Sequence, residues 1–243
     1  MAGKFTDDSL FDGRLVCRQH KDGYRFSVDA VLLAHFISPK PEQKILDLGA
    51  GCGVVSLVLA YRWPGIHLTA LELQPHLVDL IVHNIRENSF EDRMQAVAGD
   101  LRNLSGPIAP GGFDWVVCNP PYRKHGTGRR NPGEEEALAR HEINADLHAV
   151  LRAASYAVRT RGRVALVYPA SRAAGLIAEL KSENFEPKRL QVVHSYPESP
   201  GKLVLVEAVK NGGEELTILP PFYVYKEPGG EYSEEMARCY VSN

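Results

Sequence analysis

Short apolar runs bounded by glycine, proline or acidic residues alternate along the chain with stretches whose apolar positions recur every third or fourth residue. The runs at 44–48, 67–72, 94–101 and 113–118 have strand length, and Val116 and Val117 at the centre of the last suit a strand covered on both faces. Between these runs, residues 54–60 start a helix, and Leu77, Ile81 and Ile85 mark the buried face of another that opens at Gln74 and Pro75. Farther on, Leu147, Val150, Leu151, Ala154 and Val158 form one helical face, and residues 163–168 a strand. Leu176, Ile177 and Leu180 then face a helix ending near Asn184. The strands at 189–194 and 203–208 are joined through the turn-rich residues 197–201, too short for a crossover, so they pair antiparallel. Residues 216–225 read as a short tail, and 14–19 as a short strand or hairpin arm. Residues 29–36 predict a helix that Ser27 or Asp29 can cap. The alternation predicts an α/β fold of seven strands, with residues 1–40 as an N-terminal cap segment and 41–243 as the main domain.

Length and composition narrow the class without naming a chemistry. A chain of 243 residues can bury a full core, and its formal net charge of -2 argues against a protein that coats nucleic acid non-specifically while leaving room for a local basic patch. There is no run of 18 apolar residues, and the first residues lack the apolar centre of a signal peptide, so a cytoplasmic protein with no membrane partner is expected. Cys17, Cys52, Cys118 and Cys239 lack CxxC spacing, which indicates neither a disulfide framework nor a metal site.

The candidate chemistry lies at the ends of the predicted strands. The run at 113–118 meets Asn119, Pro120, Pro121 and Tyr122, where two prolines forbid further ladder bonding and hold an amide at the carboxyl end of a strand. That reads either as a prepared ligand site or as a plain strand-terminating turn. Strand 44–48 opens into Gly49, Gly51 and Gly53, a G-x-G-x-G turn ahead of a helix. The spacing disfavours a pyrophosphate dinucleotide and, with no Lys-Ser/Thr after it, a P-loop. It suits close backbone approach to a flat, uncharged ligand, with Asp47 able to accept from a cationic amino group. A neutral adenosine with a methionine tail fits. Glu72 ends the next strand about twenty residues on, where a carboxylate grips ribose hydroxyls. Asp100 and Leu101 end the third. After Tyr122 comes a loop, residues 123–141, whose first part carries Arg123, Lys124, Arg129 and Arg130 with no acid.

Residues 119–122 resemble motif IV of S-adenosylmethionine-dependent methyltransferases that act on planar nitrogens, chiefly adenine N6 and the glutamine side-chain amide. From about Gln19 to the C-terminus the chain resembles the bacterial tRNA adenine-N6 methyltransferases that modify position 37 of a valine tRNA. The resemblance implies a Rossmann-like class I methyltransferase sheet, mostly parallel with a final antiparallel strand. It implies S-adenosyl-L-methionine as cofactor, tRNA as partner, and Asn119, Pro120 and Tyr122 as the catalytic turn. The segment 23–29, with Ser27 and Asp29, would close over the methionine end of the cofactor. Asp47, Gly49, Gly51, Gly53, Glu72, Leu73, Asp100, Leu101 and Asn119 would complete its site, with Asp100 accepting from the adenine amine. Arg123, Lys124, Arg129, Arg130, Arg140 and His141 fall in the stretch that matches the family's substrate loop. A protein-glutamine methyltransferase, another amino-methyltransferase of rRNA or DNA, and a cofactor-binding scaffold without activity are the competing readings. The glutamine enzymes carry a helical recognition domain before the fold, whereas here the glycine turn begins by Gly49.

Overall fold

Strand β3 (Lys44–Leu48) divides its side chains between two apolar layers, Ile45 packing into one and Leu46 and Leu48 into the other. In β6 (Phe113–Cys118), Trp115 and Val117 enter the first layer while Val116 and Cys118 enter the second. Strands with no face left for water read as unbroken apolar runs, and that is why these two were visible in the sequence. The computed structural model that carries them describes residues 5–21, 28–120 and 147–241.

The two strands lie side by side, in parallel, at the middle of the sheet. On one side of β3 follow β4 (His67–Glu72) and β5 (Met94–Ala98), both parallel. On the far side of β6 comes β7 (Val158–Pro169), parallel, and then β9 (Gly201–Lys210), which runs antiparallel between β7 and β8 (Phe185–His194). Helices α1 (Val28–Phe36), α2 (Val54–Arg62) and α3 (Pro75–Glu87) fill the first layer. Helix α4, described over 147–157, and α5 (Ala173–Ser182) fill the second. The chain thus builds outward from β3 in one direction and then returns to build in the other, which puts a crevice between the carboxyl ends of β3 and β6.

Several predicted boundaries move, and β8 and β9 begin four and two residues earlier than expected. Val158 opens β7 instead of closing the helix before it, because it pairs with Phe113 at the start of β6. Strand β5 stops at Ala98, and the Gly99 amide donates to the Glu72 carbonyl at 3.0 Å. The predicted tail contains two short strands, β10 (Thr217–Ile218) and β11 (Phe222–Tyr223), both parallel to β8. Toward the N-terminus, β1 (Phe5–Leu10) and β2 (Leu15–His20) form an antiparallel hairpin, so residues 14–19 are indeed one arm of it. Phe11 at its tip stacks on Tyr61 of α2, ring centroids 4.4 Å apart.

The hairpin is held to α3 by two asparagines. Four helical residues rise about 6 Å and two strand residues about 6.7 Å, so amides at Asn84 and Asn88 can address alternate residues of β2. Asn88 accepts from the Val16 amide at 2.9 Å and donates to its carbonyl at 2.7 Å. Asn84 does the same to Arg18, at 2.8 and 3.0 Å. The helix supplies, through side chains, the partner that a further strand would have supplied. Among the described residues no helix is long and apolar enough to cross a membrane.

Candidate functional site

The turn after β3 is shaped by glycine at left-handed positions. Gly49 and Gly51 have φ of 70° and 61°, where a side chain is strained, and a Cβ built on either would meet no atom within 4 Å. The strain thus comes without crowding, so this backbone is open to close approach by a ligand. The Gly49 and Ala50 amides both donate to the Leu71 carbonyl, at 2.9 and 3.0 Å, tying the turn to β4. Gly53, also left-handed, caps α2 with no side-chain bond, and the first amides of the helix turn inward instead, Ser56 to the Asp47 carboxylate and Val54 to the Cys52 sulfur.

Glu72 sits at the end of β4, 6% exposed, and accepts from Gly51 N at 2.9 Å and Gln74 N at 3.0 Å, one bond to each carboxylate oxygen. It is thereby fixed directly against the turn. Asp100 lies just past β5, opposite that end, and is held by Arg102 Nη2 at 2.6 Å and Arg102 N at 2.9 Å; the arginine holds its carboxyl below the usual range. Leu73 is exposed beside Glu72, and Leu101 is half-buried. Asp47 is placed differently. It is 1% exposed beneath the turn, bonded by Ser56 Oγ at 2.8 Å, and burial pushes its pKa up to about 7 against the lowering effect of that bond.

Asn119 stands across the crevice at the end of β6. Val117 is in register with Asp47, and the Cys118 thiol donates to the Leu48 carbonyl at 3.0 Å, which locks the two strand ends together. Its Oδ1 is buried and has no hydrogen-bond partner among the described residues. Leaving a buried acceptor unmet costs about 1–3 kcal/mol, so the position is one built to receive a donor. Pro120 behind it is buried. Asp29, near the start of α1, lines a different cavity with Pro169, His194 and Lys202. Ser27, Tyr122, Arg123, Lys124, Arg129, Arg130, Arg140 and His141 lie outside the described residues.

The structure brings Gly49, Gly51, Gly53, Glu72 and Asn119 to one edge of the sheet, with Asp100 at its flank. It also reveals residues that sequence reasoning passed over. Asn84, fully buried, donates to the Cys52 carbonyl at 2.9 Å as well as to Arg18, so it connects the hairpin to the glycine turn. Cys17 and Cys52 bring their sulfurs to 3.8 Å at the same junction. The available signal was polar: Asn84 and Asn88 continue the stripe of Leu77, Ile81 and Ile85, where an amide needs a specific partner.

Comparison with known proteins agrees with this geometry. A family described as "Methyltransferase small domain" matches residues 26–170. A tRNA1(Val) (adenine(37)-N6)-methyltransferase of Porphyromonas gingivalis is 30% identical over 75% of this chain and 73% of its own length. One of the same name from a Flavobacteriaceae bacterium is 27% identical over 93% and 94%. Among solved structures, a predicted O-methyltransferase from Agrobacterium tumefaciens superposes with a TM-score of 0.71 at 20% identity, covering 88% of this chain and 98% of that one.

Proposed function

The chain belongs to the methyltransferase small domain family and, within it, to the tRNA1(Val) (adenine(37)-N6)-methyltransferases, and on that premise we propose how its own residues perform methyl transfer to adenine N6 in a tRNA. S-adenosyl-L-methionine, the cofactor of the family, supplies a methyl group on a positively charged sulfur. The open Gly49–Gly51 backbone and the Glu72 carboxylate fit its adenosine and its ribose in turn. Glu72 would accept from the ribose hydroxyls, and Asp100 would take the adenine amine of the cofactor.

The observation that carries the reading is the Asn119 Oδ1 at the switch point beside the glycine turn, buried and without a hydrogen-bond partner among the described residues. An exocyclic adenine amine is a poor nucleophile because its lone pair is delocalised into the ring. Asn119 Oδ1 and the Pro120 carbonyl each accept one amine hydrogen, which draws the nitrogen towards tetrahedral geometry and frees the lone pair for attack. Positioning of this kind lowers a barrier by up to about 7–11 kcal/mol in ideal cases. The attacked nitrogen becomes cationic and sheds its proton afterwards, so no strong base is required. Tyr122 stacks on the extruded base, and Arg123, Lys124, Arg129, Arg130, Arg140 and His141 engage RNA phosphates, in a substrate loop spanning 123–141. Residues 1–40 serve as a cap on the domain 41–243, and the enzyme works in the cytoplasm, where its substrate is.

Incubating the protein with labelled cofactor and total RNA, DNA and protein fractions, then digesting and weighing the products, tests this. N6-methyladenine in tRNA is expected. Methylglutamine in protein, or N2-methylguanine in RNA, as the sole product would overturn it.

A further inference from the structure

The edge of the sheet that carries Asn119 continues past it into a second cavity. This cavity, of about 450 Å³, is lined by Asp29, Pro169, His194, Lys202 and Tyr225 among others. Strand register fixes where it lies. Cys118 is opposite Leu166, Pro169 is opposite Leu203, and Gly201 is opposite His194. Lys202 on β9 lies two strands across from β6 and three residues farther out than Asn119, roughly 14 Å away, and His194 on β8 lies three strands across and four residues farther out, roughly 19 Å away. Glu72 and Asp100, the residues assigned to the cofactor, are on the opposite side of β3. The cofactor thus occupies one arm of the crevice, Asn119 its middle, and this cavity the arm left for the rest of the substrate.

The lining is suited to a nucleotide. Tyr225 is 37% exposed and ends a column of rings, with Tyr232 at 5.4 Å and 25° and then Tyr240 at 5.7 Å and 4°. Such a column presents a pre-ordered aromatic surface on which a base can stack at little entropic cost. Lys202 is exposed and has no acidic partner among the described residues. His194 Nδ1 lies 2.5 Å from the Ser199 carbonyl, which can only accept, so Nδ1 donates, and in the neutral ring Nε2 is left as an acceptor. An acceptor beside an ammonium and an aromatic ring matches a ribose 2′-hydroxyl, a phosphate and a base. Asp29 is the acid among the lining residues.

We propose that this cavity is the subsite for an RNA nucleotide flanking the target adenine, with Tyr225 stacking its base, His194 Nε2 accepting from its 2′-hydroxyl and Lys202 pairing with its phosphate. The assignment rests on the adenine-N6 reading above and adds a specificity contact to it. It is tested by steady-state methyl transfer to intact tRNA and to tRNA made abasic at the nucleotides on either side of the target. Tyr225→Ala should raise KM about tenfold on intact tRNA and leave it unchanged on the abasic substrate, since only the former has a base to stack. Lys202→Ala should lower the slope of log kcat/KM against log salt by about 0.7–0.9, the release of one phosphate contact. Cofactor affinity by calorimetry should not move for either. If Tyr225→Ala unfolds the protein, Tyr225→Leu and the surface variant Lys202→Glu carry the same comparison. Equal losses on intact and abasic tRNA, or an unchanged salt slope, overturn the subsite while wild-type N6-methyladenine formation still stands. Failure of the wild type to methylate tRNA adenine overturns both readings.

Discussion

Replacing Asn84 by alanine removes a side chain that bonds both the hairpin and the glycine turn. The change leaves the Arg18 amide, the Arg18 carbonyl and the Cys52 carbonyl without their partner. Each buried group left unmet costs about 1–3 kcal/mol, and a water entering the vacated space restores part of this, so a net loss of about 2–4 kcal/mol is expected. At roughly 2–4 °C per kcal/mol for a chain of this size, the melting temperature falls by about 4–16 °C. Asn88→Ala is the control, because it frees only Val16 of β2 and does not touch the turn. Cys52 lies between Gly51 and Gly53, and re-ordering one such residue costs about 1–2 kcal/mol, so Asn84→Ala should also weaken the cofactor by about 5–30-fold. Calorimetric melting and calorimetric titration of both variants settle it. If the two weaken the cofactor equally, or if Asn84→Ala alters neither stability nor affinity, Asn84 does not couple the hairpin to the turn.

Three further outcomes follow from the site. Asn119→Ala should abolish turnover and leave cofactor affinity within a few-fold, because the amide addresses the target amine; a titration in which cofactor binding disappears with activity would contradict this. Glu72→Ala should weaken the cofactor by about 1–3 kcal/mol through lost charge-assisted bonds, and unchanged affinity would remove Glu72 from the site. Asp47 holds its proton up to about pH 7, against an ordinary value of 3.8, so between those values the folded protein is protonated where the unfolded chain is not. Stability from this group is therefore full below about pH 4 and is lost as pH rises through 7. Asp47→Asn should flatten that decline in urea melts taken from pH 5 to 8, and an undiminished slope would assign it elsewhere.

The parts of the molecule that the sequence disclosed are those where one residue type has one use. Continuous apolar runs disclosed β3 and β6, and glycines at 49, 51 and 53 announced a turn that other residues would strain. Asn119 was legible because two prolines end its strand. Boundaries set by pairing were not: Val158 fits a helical face by spacing, and only its partner Phe113 assigns it to β7. Asp47 looked like a ligand for an amine, yet its side chain is placed under the turn by Ser56, a contact nine residues away that no local pattern encodes. The role of Asn84 depends on Arg18, sixty-six residues distant, and Tyr225 gains its meaning from Tyr232 and Tyr240.

The outer flank of β8 has a consequence of its own. An edge strand with a continuous row of free backbone groups is a template for self-association. Here that row is occupied in two pieces: β10 opposite Arg189 and Leu190, and β11 opposite Val193 and His194. Between them Pro220 and Pro221 have no amide proton to offer, and the Pro220 carbonyl is taken by Gln191 Nε2 at 3.1 Å. A neighbouring chain that approached this margin would find a broken ladder, two residues long at each step, and no register in which to add a strand. The final stretch of the chain therefore acts as a guard against aggregation along the side of the sheet farthest from the glycine turn.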